Sequence, residues 1–276
     1  MHCKDGGLKI GVSEESDLKK TALKYGIKHI GCTDAKIYNE KSGENRKTIL
    51  AALVPYYTAE DEKPNLSKYC RSYDYHIVCK DIMTKICTDL DFKDFLVFCD
   101  TGYHIDRIAA YNAGLGFFGL NTMLINEEIG SYFFIVYAVL NEDLKKIAAP
   151  PLKMCIKCKK CENACPGGAI KNGKIDESRC ISAITQKKGE LSVEEENLIK
   201  KGKYIFGCDI CQDVCPYNRN LKTTSVSSFL SDRINFLKKS DIENLSSREF
   251  KEKYGKYAFS WRGKNVLLRN IDIMKQ

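Results

Sequence analysis

Four cysteines spaced for metal binding, with a proline directly after the last of them, constrain this chain more than any other feature. Cys155, Cys158, Cys161 and Cys165 precede Pro166 in the pattern C-x2-C-x2-C-x3-C-P. In proteins that hold two iron–sulfur clusters, this spacing wraps three thiolates around one four-iron, four-sulfur cluster and sends the fourth to another cluster. The run therefore predicts a ferredoxin-like module with two such clusters.

A second run lacks one ligand. Cys208, Cys211 and Cys215, with a proline after them, match the last three positions of the same pattern, and Ile205 occupies the place of the first. The second cluster then needs one more thiolate. Cys180 is the only other cysteine in this part of the chain, and we assign it as the eighth ligand.

The pairing of the thiolates follows from the rule that the fourth cysteine of each run ligates the other cluster. Cluster 1 is predicted to take Cys155, Cys158, Cys161 and Cys215, and cluster 2 to take Cys165, Cys180, Cys208 and Cys211. Tetrahedral zinc is the alternative, because C-x2-C pairs also bind zinc. Two runs that end in Cys-Pro match iron–sulfur cluster binding better than zinc binding.

The remaining cysteines have no mutual spacing that indicates a site, and isolated cysteines are usually buried small hydrophobes. They are Cys3, Cys32, Cys70, Cys79, Cys87 and Cys99. The N-terminal sequence lacks the apolar core of a signal peptide, and the longest apolar stretch, residues 132–140, is about half the length that spans a bilayer. We therefore expect a cytoplasmic protein without membrane contact, whose clustered cysteines bind metal.

The formal charge of +8 fits an anionic partner such as RNA, because Lys and Arg side chains neutralise phosphates and release counterions. Only nine of the 44 basic residues are arginine, however, and a general lysine-rich composition explains the charge equally well. Charge alone does not assign a nucleic-acid partner.

Helical and strand-like patterns alternate through the first half of the chain. Apolar spacing predicts helices at residues 16–30 (ended by Gly26), 75–90 and 105–114, and strands at 48–57, 95–102, 122–125 and 132–140. This alternation predicts an α/β (α+β) domain at residues 1–148. Prolines near residue 150 mark its end. The cluster module then spans 149–220, and residues 221–276 form a short helical segment with Ser240 and Ser246 as caps.

Four short motifs around these features resemble one enzyme family. They are VFCDTGYHIDR (97–107), NAGLGFFGLNT (112–122), RCISAITQKKG (179–189) and GCDICQDVCPYN (207–218). In this order, and combined with the first cysteine run, they resemble the epoxyqueuosine reductases. The likeness covers residues 66–220, with a weaker continuation in LLRN at 267–270.

The resemblance implies a reduction of epoxyqueuosine to queuosine at the wobble position of tRNA. It also implies cobalamin as a cofactor, fed with electrons through the two clusters from an external donor such as a ferredoxin or flavodoxin. Longer family members continue beyond the position of Gln276 into helical repeats that hold tRNA. We expect a monomer.

The resemblance also assigns site residues. Asp100 matches the family's aspartate at the end of a strand, and we predict that it is the acid, since an apolar cofactor face would disfavour its ionised form near neutral pH. Its alternative role is the N-cap of a helix near His104, which we expect to be an ordinary histidine rather than a cobalt ligand. The predicted cobalamin contacts are Asp100, Ser182, Cys208 and Asp209.

Three glycines, and two positions that depart from the family pattern, also concern the predicted cobalamin site. Gly114, Gly116 and Gly119 would let the backbone approach a macrocycle closely, or would simply form a tight turn. Leu120 stands where the family usually has lysine, and Tyr73 where it has arginine or another long side chain. Two other functions therefore stay open: a cobalamin-dependent reductase of another small substrate, as in the reductive dehalogenases, and a two-cluster electron carrier without cobalamin.

Overall fold

A four-stranded antiparallel sheet forms the centre of the structure, a computed structural model that describes residues 13–59, 63–144 and 153–275. The spatial order of its strands is β1-β2-β6-β3, and two short hairpins, β4–β5 and β7–β8, lie outside it. The strands are β1 His29–Asp34, β2 Thr48–Pro55, β3 Phe95–Cys99, β4 Phe117–Phe118, β5 Leu124–Ile125, β6 Phe133–Leu140, β7 Ile170–Lys171 and β8 Lys174–Ile175. Each pair in the sheet runs antiparallel, so the mixed architecture is of the α+β kind.

The helices cover both faces of the sheet and fill the cysteine-rich part of the chain. They are α1 Ser13–Lys24, α2 Lys36–Ser42, α3 Tyr75–Asp89, α4 Asp106–Asn112, α5 Lys160–Ala164, α6 Ile181–Thr185, α7 Val193–Gly202, α8 Ile210–Asp213, α9 Ser247–Tyr254 and α10 Lys264–Lys275. Short 3₁₀ turns connect several of them. The predicted helix at residues 75–90 is confirmed as α3, whose N-cap Asp74 accepts a hydrogen bond from the amide of His76.

Strand β1 was missed by the sequence analysis, which predicted a helix ended by Gly26 in residues 16–30 and no strand before residue 48. Helix α1 ends at Lys24, and Gly26 adopts a left-handed backbone with φ 76° that a side chain would strain. The chain then turns, and Ile27 enters the core fully buried. The predicted strand at 95–102 is shorter than expected, because Asp100 is also left-handed, with φ 59°.

Strand β2 shows why the sheet lies at the centre. Residues 49–54 are all 0 % exposed. Alternate side chains point to opposite faces, so Leu50 and Val54 belong to one hydrophobic cluster and Ile49 and Leu53 to another. A strand that is buried on both faces requires a layer of packing on each side, which explains its unbroken apolar sequence.

The C-terminal segment packs into the larger of these two clusters. Phe229, Phe250, Phe259 and Leu267 are buried there, together with α3 and one face of the sheet. Ser246 caps α9 in a capping box with Glu249, as predicted. The predicted cap at Ser240 is wrong, because that residue lies inside a 3₁₀ turn.

The cysteine-rich module joins the sheet domain through a short stretch of paired backbone. Leu66 and Phe206 form a parallel bridge. The amide of Ser67 donates to the carbonyl of Phe206 at 3.0 Å, and that of Ile205 to the carbonyl of Asn65 at 2.8 Å. The prolines expected to end the first domain, and Cys3, lie outside the described residues. No helix in the described ranges is both long and apolar enough to cross a membrane.

Asn270 ties the C-terminal helix to this junction and provides a test of it. Its fully buried side-chain amide donates at 2.8 Å to the carbonyls of Thr185 and Ile205. Replacement by Ala leaves buried carbonyls without partners, which costs about 1–3 kcal/mol. We expect Asn270→Ala to lower the melting midpoint of the anaerobically purified protein by several degrees. Asn197→Ala, on the exposed side of α7, should leave the midpoint unchanged; equal midpoints for both variants would contradict the assigned role.

Candidate functional site

A cavity of about 620 Å³ opens between the sheet domain and the cysteine-rich module. Its lining includes all four predicted ligands of cluster 2, namely Cys165, Cys180, Cys208 and Cys211, and also Asp100 and Ser182. The volume lies within the range of ligand sites, about 300–1,000 Å³. The predicted cluster and the predicted acid therefore face the same space.

The four predicted ligands of cluster 1 line a second, smaller cavity. They are Cys155, Cys158, Cys161 and Cys215, and Leu120 and Tyr217 lie beside them. The fold thus separates the eight cysteines into the two sets that the spacing rule predicted. Among the described residues, no three His, Cys, Asp or Glu side chains form a group that could hold a single metal ion.

Local backbone geometry brings the second cysteine run against the sheet domain. Gly207, directly before Cys208, has φ 72°, and a Cβ at this position would lie 2.5 Å from the Cβ of Ser67. Only glycine fits such a close approach. Burial raises the pKa of Cys208 to about 12, so loss of the thiol proton has to accompany metal binding.

Asp100 follows β3 and projects its carboxylate toward α3. The hydroxyl of Tyr75 donates to its Oδ2 at 2.5 Å, and Nε2 of His76 lies 3.6 Å from the same oxygen. The ring of Tyr75 stacks on Phe134 with 4.2 Å between centroids, which fixes the position of the hydroxyl. Burial raises the pKa of Tyr75, so this phenol keeps its proton.

His76 connects two carboxylates. Its Nδ1 lies 2.7 Å from Oδ1 of Asp74, and its other ring nitrogen faces Asp100. The contact with Asp100, and then the hydrogen bond with Asp74, raise the pKa of His76 to about 9, so it is protonated at neutral pH. Burial acts to raise the pKa of Asp74, but the hydrogen bonds from His76 outweigh this effect and lower it.

The prediction that Asp100 retains its proton concerned a carboxyl against an apolar cofactor face, and it stays a prediction. In this structure the contact with His76 lowers the pKa of Asp100, and burial opposes this only in part. The side chain is 66 % exposed, so desolvation is incomplete. The alternative role of Asp100 as a helix N-cap is wrong, because α4 begins at Asp106. The carboxylate of Asp106 instead accepts a hydrogen bond from the amide of Asp100 at 2.9 Å.

Asp209 was predicted to contact cobalamin, and the structure places its side chain elsewhere. Its side chain is fully buried and does not line the large cavity. It accepts hydrogen bonds from the hydroxyl of Ser67 at 2.6 Å and the amide of Lys68 at 2.7 Å, and it lies 3.7 Å from the guanidinium of Arg71. Burial raises the pKa of Asp209, and Lys68 opposes the rise. The carboxylate holds the module to the sheet domain.

The glycines of residues 114–119 serve the protein's own packing. A Cβ at Gly116 would lie 2.5 Å from the carbonyl of Ile125, and one at Gly119 would lie 2.7 Å from the Ile125 side chain. The tight-turn explanation therefore holds, and none of these glycines lines the large cavity. Leu120, the departure from the family pattern, lies next to the cluster 1 cysteines.

The remaining residues singled out in the sequence fall at the edge of the site or outside it. His104 is exposed at the cavity, Cys99 is buried in its wall, and Tyr73 donates from its hydroxyl to Asp232 at 2.8 Å. Sequence reasoning missed Tyr75 and His76. The only signal was the polar run Asp-Tyr-His at the start of a predicted helix, and nothing local placed it beside a residue 24 positions later.

The chain resembles a known domain family and known proteins in sequence. A sequence model of the 4Fe–4S double cluster binding domain matches residues 154–218, which decides against the zinc alternative. The chain is 33 % identical over 260 residues to an epoxyqueuosine reductase of Lactococcus garvieae, covering 86 % of this chain and 71 % of that protein. It is 34 % identical over 252 residues to that of Leadbetterella byssophila, covering 88 % and 82 %.

Solved structures give the same result. The epoxyqueuosine reductase of Streptococcus thermophilus is similar with a TM-score of 0.78 and 28 % identity, over 95 % of this chain and 80 % of that one. An epoxyqueuosine reductase bound to an epoxyqueuosine-modified tRNA-Tyr stem loop is similar with a TM-score of 0.77 and 28 % identity, over 94 % and 80 %. A reductive dehalogenase, at 16 % identity and a TM-score of 0.54 over 99 % of this chain and 38 % of that one, shares the fold alone.

Identity above 30 % over most of both sequences, the matched double-cluster module and the shared fold all agree. The chain belongs to the epoxyqueuosine reductase family.

Proposed function

We propose that this chain reduces epoxyqueuosine to queuosine in tRNA, with a corrinoid bound in the large cavity and two 4Fe–4S clusters as the electron path. One observation carries the proposal: the four cysteines of the predicted cluster 2 and the carboxylate of Asp100 line the same cavity. A substrate in this cavity would therefore have both an electron source and a proton-handling group beside it. A simple electron carrier has no need of such a cavity.

The lining of the cavity has the composition of a cofactor site. Phe134, Ile170 and Ile181 contribute apolar surface, and Ser182 and Gln212 contribute polar groups. Few polar groups on a mainly apolar lining is the usual composition of a cofactor site. Residues on these walls, with Asp100 and Cys208, would hold cobalamin, which supplies an electron pair to carbon when it is bound.

The chain's own residues handle the proton. Removal of an epoxide oxygen as water takes up two protons with two electrons, so an acid has to stand at the departing oxygen. Asp100 lies on the cavity wall, and His76 lies behind it as an imidazolium. A bound cofactor and substrate would desolvate Asp100 and raise its pKa. We infer that Asp100 then takes a proton from His76 and delivers it to the oxygen, and that the second proton comes from solvent.

The comparisons support the assignment of substrate and acid. One relative is solved with an epoxyqueuosine-modified stem loop, and the Bacillus subtilis enzyme with its catalytic aspartate loop swung out of the active site. Asp100 likewise lies on a loop, directly after β3. The likeness to reductive dehalogenases is in the fold alone, and it gives no preference for small halides.

Replacing Asp100 with Asn tests substrate and acid together. The unaltered protein, purified without oxygen and supplied with cobalamin and a reductant, should convert an epoxyqueuosine stem loop to the queuosine form. Asp100→Asn should keep its cobalt and iron but turn over at least about ten-fold more slowly, because the amide cannot supply the proton. Full activity of the variant would remove the role of acid; activity of the unaltered protein on small halides but not on RNA would favour the dehalogenase-like alternative.

Cys180 tests the ligand set of cluster 2. Cys180→Ala should reduce iron from about eight atoms per chain toward about four, because one cluster loses a thiolate. Iron analysis and the cluster absorption measure the change. Cys87→Ala, at a buried cysteine distant from both runs in sequence, is the matched control and should retain the full iron content. A Cys180→Ala protein with all its iron would show that another group is the eighth ligand.

His76 tests the proton supply. Because its pKa is raised to about 9, the imidazolium is present below that pH and is lost as the pH rises through it. We expect turnover to fall above about pH 9, and His76→Gln to be slower and to lack this falling limb. His29→Gln, at a histidine outside the cavity lining, should keep the limb. The same limb in His76→Gln would assign the titration to another group.

A further inference from the structure

A patch of exposed apolar and basic side chains surrounds the cysteines of cluster 1. We call residues 153–160 the lysine-rimmed patch. Met154 is 69 % exposed and Ile156 is 61 % exposed, while Lys157, Lys159 and Lys160 are exposed around them. Two large apolar side chains this exposed, only two residues apart and within a ring of like charges, are a common mark of a protein-binding surface.

The patch lies at the cluster that is separate from the large cavity. Cysteines of cluster 2 line that cavity, whereas those of cluster 1 line the smaller one. Cys158, a predicted ligand of cluster 1, is itself exposed between Lys157 and Lys159. If electrons are used in the large cavity, the exposed surface at Cys158 offers an entry point outside that cavity.

The patch is held in place by contacts on its inner side. The hydroxyl of Tyr217 donates to the carbonyl of Met154 at 3.1 Å, and the ring of Tyr217 packs edge-on against Phe117. Lys153 forms an ion pair with Glu127 at 2.6 Å. The Met154 and Ile156 side chains thus stay in solvent on a segment whose backbone is anchored.

We propose that the lysine-rimmed patch docks a small acidic protein that carries one electron at a time. The inference rests on the proposed function for its need of electrons, but it concerns a different surface. Lysines complement an acidic partner and speed its approach, and Met154 and Ile156 would bury apolar surface in the complex. Each encounter passes one electron from the reduced carrier to the clusters, and two encounters supply the pair that the substrate needs.

RNA is the other partner that a basic surface can take, and the composition of the patch argues against it. Residues 153–160 contain no aromatic and no arginine side chain on which a base could stack. Exposed Met and Ile side chains add nothing to a phosphate contact. The RNA substrate also has to reach the large cavity, which the cluster 2 cysteines line.

Charge-neutralised variants of the cluster-loaded protein test the proposal. Rapid mixing with a photoreduced acidic flavodoxin, followed by the loss of cluster absorption, measures reduction without any RNA. Lys157→Gln with Lys160→Gln should lower the second-order rate constant about ten-fold at low salt and weaken its salt dependence. Lys251→Gln with Lys253→Gln, on exposed positions of α9, makes the same change in net charge and should leave the rate unchanged.

Two further measurements separate a defect in docking from damage to the clusters. Dithionite, a small reductant, should bleach the clusters of all variants at the same rate, which shows that the clusters are intact. Met154→Ser with Ile156→Ser should weaken flavodoxin binding measured by calorimetry, with little change in its dependence on salt. Equal carrier rates in the patch and control variants, or loss of stem-loop affinity in the patch variant alone, would overturn the proposal.

The failure of this inference can be told from failure of the proposed function. A protein with full iron that converts the stem loop, but whose patch variant accepts electrons from flavodoxin at the unaltered rate, overturns the docking surface alone. A protein that never acquires its clusters overturns both.

Discussion

The buried carboxylate of Asp209 is the contact on which the arrangement of the site depends. It is fully removed from solvent, and a charge in that position is tolerated only because Ser67, the Lys68 amide and Arg71 surround it. Loss of either side of this contact would leave a charge buried without a partner. Since Asp209 follows Cys208 directly, the same contact fixes one wall of the large cavity relative to the sheet.

The sheet and α3 position the groups that we propose to handle the proton. Asp100 sits where β3 ends, and Tyr75 and His76 sit in the first turn of α3. Phe134, on the neighbouring strand β6, holds the Tyr75 ring by stacking. The proposed proton source and the predicted ligands of cluster 2 therefore reach the cavity from different units of the fold, and a substrate would meet both only between them.

The division of the cysteines between two cavities fits the electron path that we propose. In the predicted ligand sets each run sends its last cysteine to the other set, and one set lines the large cavity while the other lines the smaller one. One set faces the cavity and the other faces the surface at Cys158. Under the proposed function, electrons would enter near Cys158, away from a substrate in the large cavity.

The sequence by itself indicated the two predicted cysteine sets, the strands β2 and β6, helix α3 and the family, because each can be recognised from short patterns and motifs along the chain. It did not determine the partners of Asp100 or the burial of Asp209. Tyr75 and His76 reach Asp100 because α3 and β3, joined by residues 90–94, run in opposite directions, which brings the end of β3 to the start of α3. A pKa depends on which groups lie within a few ångströms, and only the tertiary structure decides that distance.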